Sequence, residues 1–381
     1  MPESWEYSNN SDEKTNLDIE VLKQEVGQRF PFYDIRFTPK SIVFFCRVDK
    51  EHLEEKFDSL RRSLSEKGYV PMLRYEKGEH IIHILKKPKR KEKSVWINIL
   101  LLITTIITTI ITGSIICAGQ FDIWSMSNPI DILKPENLLK GALLFSLPLM
   151  TILFVHEMGH YFTSKKHGIK TSLPFFMPIP PIIPGFNIGT MGAVISSRDP
   201  MPNKKALFDV GISGPIAGFL VAIPVIFIGI ATAKIVPIIP YENLPAGEVI
   251  FNSSFLIDGV SYLTHDLPAR HLEMNPIYFA GWVGLLITAV NLLPAGQLDG
   301  GHIFRAVFGE KQKYVSWAAI IIMIFTGWMF FAIIIMFMLG TMHPPPLNDD
   351  TDLDIKRKLL FIVALAMLIL CYIPYPIHIV P

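Results

Sequence analysis

Two kinds of hydrophobic pattern succeed one another along the chain. From Leu17 to Leu85 apolar residues alternate, or recur at helical spacing, among many charges. This pattern predicts a short helix over 18–28, strands over 33–37 and 41–48, and a charged amphipathic helix over 50–67. Strands over 70–75 and 80–85 follow, joined by the turn Glu76-Lys77-Gly78-Glu79. From Val95 the apolar runs lengthen to what a bilayer crossing needs, about 18 residues or more. Six are expected, near 95–117, 138–162, 207–235, 276–303, 314–339 and 359–379. Between the second and third, 168–205 is apolar but too broken by proline for a straight helix. Within it, 189–196 reads as a strand or hairpin lying against or dipping into the membrane. The expected fold is a polytopic α-helical membrane protein of about six transmembrane helices. It carries a small N-terminal cytoplasmic α+β domain and a membrane-associated β-hairpin. The expected divisions are a disordered polar tail (1–17), the α+β domain with a basic linker (18–93) and a membrane-embedded domain (94–381).

Composition agrees. The 381 residues are 50% hydrophobic, with mean hydropathy +0.38, too apolar for an ordinary soluble protein. A net charge of +1 offers no bulk electrostatic case for nucleic acid. Cys46, Cys117 and Cys371 share no spacing that suggests disulfides or a zinc knuckle. The polar, acidic start MPESWEYSNNSDEK is not a cleavable signal peptide, so the first apolar span directs the chain to the membrane. The basic run KKPKRKEK (86–93) directly before that span places the N-terminus in the cytoplasm. Lys165 and Lys166 after the second span carry the same sign on the same side. In a six-span arrangement Lys356, Arg357 and Lys358 fall on the outer side, against the charge rule.

The second span ends in His156-Glu157-Met158-Gly159-His160. On a helix, positions i and i+4 share a face about 6 Å apart along the axis, so both imidazoles can reach one metal ion. Glu157 leaves on nearly the same side, where it can hold a water. A coincidental histidine pair on a surface helix is the plain alternative. Against it stands the position at the end of an apolar run, where ionisable groups are costly and usually functional. His52, His80 and His83 have no acid or cysteine cluster beside them and read as ordinary strand or surface residues.

A catalytic zinc takes three protein ligands and leaves one position open. A third histidine ten residues after the first is ruled out, because that position is Lys166. No Asp or Glu occurs between His160 and Asp199, which removes the soluble arrangement with an acid about twenty residues on. Two residues of the fourth span compete for the place: Asp299, at matching depth, and His302. Pro294, Gly296, Gly300 and Gly301 should break or bend that span around them. Asn291 reads either as an interhelical hydrogen bond or as a donor to substrate or a developing oxyanion. The stretch 189–196, with Gly189 and Gly192, reads either as a greasy loop or as an edge to which an unwound substrate pairs. Gly211, Gly214 and Gly218 in the third span read as helix packing.

HExxH in one span, with Asn291-Leu292-Leu293-Pro294 and Asp299-Gly300 in a later one, resembles the site-2 protease family of intramembrane zinc metalloproteases. The similarity covers the second to fourth spans, including GTMGAV (189–194) and GISGPIAG (211–218). The resemblance implies one zinc ion on His156, His160 and Asp299, with Glu157 as general base and Asn291 engaging substrate. It implies transmembrane proteins as substrates and the lipid bilayer as the setting. The N-terminal domain lies outside it, so any soluble partner of that domain is unknown. The expected function is therefore an intramembrane zinc endopeptidase. A metal-binding transporter and an inactive membrane scaffold are the alternatives. The first would need acids or histidines in several spans, and Glu157 argues against the second.

Overall fold

The structure, a computed structural model, describes residues 19–88, 94–119, 129–182, 187–197, 199–237, 245–247 and 249–380. The polar tail at 1–17 and the linker residues 89–93 lie outside the described residues.

The N-terminal unit comprises α1 (Ile19–Gly27), β1 (Phe32–Phe37), β2 (Ser41–Cys46), α2 (Leu53–Glu66), β3 (Tyr69–Glu76) and β4 (Glu79–Lys86). The strands form an antiparallel sheet in the order β1-β2-β4-β3. Alternation decides its inner face: Ile42 and Phe44 of β2, Leu73 of β3, and Ile82 and Ile84 of β4 all point to one core. Across it, Leu53, Phe57, Leu60 and Leu64 form the buried stripe of α2 at spacings of four, three and four. Lys77 and Gly78 both have positive φ (51° and 87°), the geometry of a two-residue hairpin turn between β3 and β4.

The apolar part begins with α3 (Val95–Cys117). The next helix runs unbroken from Pro135 to Lys166, 32 residues. Its first piece, α4 (Pro135–Lys140), passes through one wide turn at Gly141–Ser146 into α5 (Leu147–Lys166). The wide turn lies where α3 comes closest: a Cβ on Gly113 would stand 2.6 Å from the Gly141 carbonyl oxygen. Then come β5 (Phe175–Pro178) and β6 (Thr190–Val194), an antiparallel pair, and α6 (Lys204–Ala231). The chain continues through β7 (Val249–Phe251), α7 (Phe255–His265), α8 (Pro276–Leu292), α9 (Asp299–Phe308), α10 (Gln312–Phe325), α11 (Met329–Ile334), α12 (Ile355–Cys371) and β8 (Ile377–Ile379). Helix α3, the Pro135–Lys166 helix and α6 are long and apolar enough to cross a membrane, and α8 is a shorter apolar helix of 17 residues. Bulky apolar side chains such as Leu100 and Ile107 of α3 and Leu220 and Phe227 of α6 face outward. The inward sides of α5, α6 and α8 share one core around Leu149, Ile152, Ala222, Ile226, Phe279 and Trp282.

The run 276–303 breaks where its proline and glycines lead one to expect, whereas the expectation of one span over 314–339 is corrected. In the first, α8 stops at Leu292 and α9 restarts at Asp299. Pro294, which has no N–H, and Gly296, at φ 54°, lie between them. The run 314–339 is also broken, and it does not carry the chain to the far side. Gly327, at φ 81°, turns it between α10 and α11, where a Cβ would meet the Tyr375 ring at 2.7 Å. The chain then returns to the N-terminal domain, where Leu347 O accepts from Leu73 N at 2.8 Å. Arg357, at the start of α12, holds Asp209 near the start of α6 with Nε–Oδ1 2.7 Å. Lys356, Arg357 and Lys358 therefore share the N-terminal domain's end of the bundle. The C-terminal strand β8 pairs with β7, beyond the other end of α6.

Glu25 of α1 accepts hydrogen bonds from Lys67, from Ser63 Oγ at 2.7 Å and from Arg29 Nη1 at 2.7 Å. The Lys67 ammonium, then the Ser63 hydroxyl, hold its carboxyl down at about 2 against an ordinary 4.5. A depressed carboxyl stabilises the fold fully above the ordinary value and loses that contribution as pH falls toward the folded value. The melting temperature of the wild type should therefore exceed that of Glu25→Gln at pH 6–7. The gap should close progressively below about pH 4.5. A gap independent of pH, in parallel melts across that range, would contradict this.

Candidate metal centre

The buried stripe of α5 runs Leu149, Leu153, His156, His160 and Ser164, at steps of four, three, four and four, with Ile152 beside it. The spacing that buries the apolar residues also carries both imidazoles inward. Their Nε2 atoms lie 3.1 Å apart. Asp299 enters from the first turn of α9, with Oδ2 at 3.3 Å from His156 Nε2 and 3.2 Å from His160 Nε2. These three donors form a nearly equilateral triangle.

Chemistry then decides what belongs inside the triangle. His160 Nδ1 lies 2.7 Å from the Val210 carbonyl oxygen, which can only accept, so Nδ1 carries the proton and Nε2 of the neutral ring presents a lone pair. With His156 in the same tautomer, the two lone pairs and the carboxylate oxygen would repel one another unless a cation lay among them. Tetrahedral zinc, with bonds of about 2.0–2.1 Å, requires ligand–ligand edges of about 3.3 Å. Edges of 3.1, 3.2 and 3.3 Å fit it. Among the described residues this is the buried group of three metal-ligating side chains; the other group, Asp49, Glu51 and His52, is exposed.

Glu157 is 7% exposed, and no protein group donates a hydrogen bond to its carboxylate among the described residues. Asn291, in the last turn of α8, brings Nδ2 to 3.4 Å from His156 Nε2. His302 turns elsewhere: its Nδ1 bonds the Leu298 carbonyl at 2.9 Å and its ring lies against His343, centroids 4.2 Å apart. Asp209 is engaged by Arg357 and by His167 at 3.0 Å. Gly189 packs on the backbone of α3, where a Cβ would meet Thr108 O at 2.8 Å, and its carbonyl accepts from Thr108 Oγ1 and Ile179 N. Gly192, at φ 93°, has open space where a Cβ would stand.

The glycines of α6, expected to serve helix packing, also back the histidines. A Cβ on Gly214 would fall on the His160 ring, and one on Gly218 would lie 3.1 Å from His156 Nδ1. One on Gly211 would lie 2.7 Å from His302 Cβ and 3.0 Å from Asp299 O. In return, Gly159 of the HExxH motif lets Ser213 O approach to within 2.6 Å of where its Cβ would be. The signal was the three- and four-residue spacing of glycines at 211, 214 and 218, which marks one helix face. The Val210 carbonyl, a backbone group, carried no signal.

The profile of Peptidase family M50 matches residues 144–335. Over 247 residues, 62% of the chain, it is 29% identical to the probable zinc metalloprotease EGY1, chloroplastic, of Oryza sativa subsp. japonica. Over 268 residues, 68% of the chain, it is 30% identical to the probable zinc metalloprotease EGY2, chloroplastic, of Arabidopsis thaliana. These stretches are 41% and 45% of the two relatives, so the chain spans less than half of their length. No solved structure matches the chain.

Gly214→Ala should cost the protein its zinc, because the added methyl group falls on the His160 ring. Gly259→Ala in α7, where a Cβ meets nothing within 4 Å, should keep it. Metal content of the two purified variants checks this: equal zinc in both would remove the role given to the glycine face.

Proposed function

The chain belongs to peptidase family M50, the site-2 protease family that its motifs resemble, and we propose that it is a zinc-dependent endopeptidase hydrolysing peptide bonds within or beside transmembrane segments of other proteins. The observation that carries this proposal is the triangle of His156, His160 and Asp299, with edges of 3.1–3.3 Å, beside a buried carboxylate with no donor among the described residues. A single zinc ion held there would supply Lewis-acid polarisation of a carbonyl and a water with a pKa near 7.

The chain's own residues do the rest. Glu157 accepts the proton of the attacking water and returns it to the departing amine as the C–N bond breaks. Asn291 Nδ2 offers a hydrogen bond to the carbonyl oxygen on which negative charge develops. His160 is held in one tautomer and orientation by Val210, and His156 and His160 keep their Nε2 atoms turned to the same point. A substrate helix hides its carbonyls in i to i−4 hydrogen bonds, so it must unwind locally before cleavage. Among the described residues β6 pairs only with β5, and it exposes Met191 and Val194, which supports its use as an edge for the unwound segment. The Gly189 carbonyl is already engaged, so that docking would fall on 191–194.

In this arrangement the N-terminal domain lies in the cytoplasm, with Lys165, Lys166, Lys204, Lys205 and Arg357 at the same end of the bundle. Helices α3, α5, α6, α8 and α12 cross the bilayer, and α10 with α11 forms a hairpin that enters and returns. A metal transporter would need further ligands along a path. No second buried cluster of three such side chains occurs among the described residues.

Glu157→Gln should keep one zinc per chain and lose cleavage of a reconstituted single-span substrate by at least about 10²–10⁴-fold. Unchanged cleavage would sink the mechanism. Asn291→Ala should also keep the metal while kcat falls on the order of 10²-fold. A loss confined to KM would make Asn291 a binding group instead.

A further inference from the structure

Segment 343–350 is where three parts of the chain meet, and nothing in the metal-site motifs involves it. Its backbone lies between two others. On one side Leu347 O accepts from Leu73 N, at the outer edge of β3, at 2.8 Å. On the other side Leu347 N and Asn348 N donate to Met201 O and Pro202 O at 2.8 and 2.9 Å, in the stretch that leads into α6. Asn348 forms parallel bridges to both Leu73 and Asn203. The edge of the N-terminal sheet is thereby linked, through isolated bridges, to the threshold of α6.

Side chains reinforce the same seam. Arg74 Nη1 donates to the Pro346 and Leu347 carbonyls at 2.9 and 3.0 Å, and His80 Nε2 lies 2.8 Å from Asp350 Oδ2. Facing inward, Asp349 Oδ2 accepts from Arg305 Nη2 at 2.6 Å, and its Oδ1 lies 3.8 Å from Lys204 Nζ. The Arg305 side chain is only 5% exposed. Arg305 belongs to α9, six residues after Asp299; Lys204 is the first residue of α6, whose glycine face backs His156 and His160. One carboxylate thus joins the helix carrying the third donor to the helix that seats the first two. Helix α9 is short and follows a loop, and its N-cap Leu298 gives it no side-chain cap, so few other polar ties fix it.

We propose that Asp349 and Arg305 are positioning residues for the metal site, and that the N-terminal domain, by clamping segment 346–350, sets how tightly the site holds zinc; this rests on the zinc reading above. Removing one partner of a buried ion pair leaves the other charge uncompensated, and α9 would have to move to relieve it. Metal ligands tolerate displacements of only about 0.2 Å, so a small shift of Asp299 registers as lost affinity.

The test uses the purified full-length chain in detergent, titrated with zinc against a chromophoric chelator and, separately, loaded with cobalt(II) for its visible spectrum. Asp349→Asn should weaken zinc binding about tenfold and alter the cobalt spectrum, as loss of a supporting shell does. Asp349→Glu should restore both to within about threefold of wild type. Arg74→Gln, on the N-terminal domain, should weaken zinc binding in the same direction while leaving every donor atom in place. Should Asp349→Asn not fold, Arg74→Gln and Asp349→Glu decide the matter. Wild-type affinity and spectrum in both Asp349→Asn and Arg74→Gln would overturn the proposal, as would an Asp349→Glu variant as impaired as Asp349→Asn. A wild-type chain that binds no zinc would overturn the metal reading itself, a separate failure.

Discussion

Two imidazole Nε2 atoms and a carboxylate oxygen, mutually 3.1–3.3 Å apart in a protein interior, form a cradle that a positive charge fits. The rest of the apolar domain can be understood as what it takes to bring those atoms together. Two of them come from one turn of one helix and need only the right side chains. The third comes from a residue 139 positions after His160 (299 − 160) and needs a fold. The close approach is made by what α6 lacks. With no side chain at Gly214 or Gly218, the imidazoles lie directly on its backbone, near enough for Val210 to fix the tautomer of His160. Gly211 lets α9 approach the same helix. A leucine at any of these positions would push the helices apart by more than a metal–ligand bond can stretch.

The helix breaks belong to the same design. A continuous helix over 276–303 would project Asn291 and Asp299, eight residues apart, about 12 Å from each other along its axis. Ending α8 at Leu292 and restarting at Asp299 folds that distance back, so that the amide and the carboxylate both approach His156. The break also puts Asp299 in the first turn of α9, where unpaired N–H groups favour a negative charge. Glycine and proline between the two helices are therefore part of the site's chemistry, although none of them touches the metal position.

Whatever depends on local periodicity was legible in the sequence. The span at 95–117 coincides with α3, and Glu76-Lys77-Gly78-Glu79 forms the β3–β4 turn, because length and turn chemistry are properties of short stretches. The family followed from two motifs whose spacing few other folds require. Illegible were the features made by partners distant in sequence. The turn at Gly327 is enforced by Tyr375 packed against it, and without that ring 314–339 reads as one apolar helix. The expectation that placed Lys356 to Lys358 on the far side came from this one error. The residues alone leave Asp299 and His302 both open, and the resemblance points to Asp299; the rotation of α9 turns Asp299 toward α5 and His302 away from it.

The position of the N-terminal domain has a consequence for how the site is held. Ion pairs at a protein surface contribute little, but the Arg305–Asp349 pair is largely withdrawn from solvent, and Asp349 also reaches Lys204 at the start of α6. Apolar packing resists separation of helices far better than it resists their rotation or sliding, because it has no preferred direction. A directed, buried ion pair between the threshold of α6 and α9 supplies the missing constraint on rotation. Rotation of α9 is the motion to which a carboxylate in its first turn is most exposed. The seam at 346–350 therefore lies where the N-terminal unit meets the elements that position the site, without contacting the site itself.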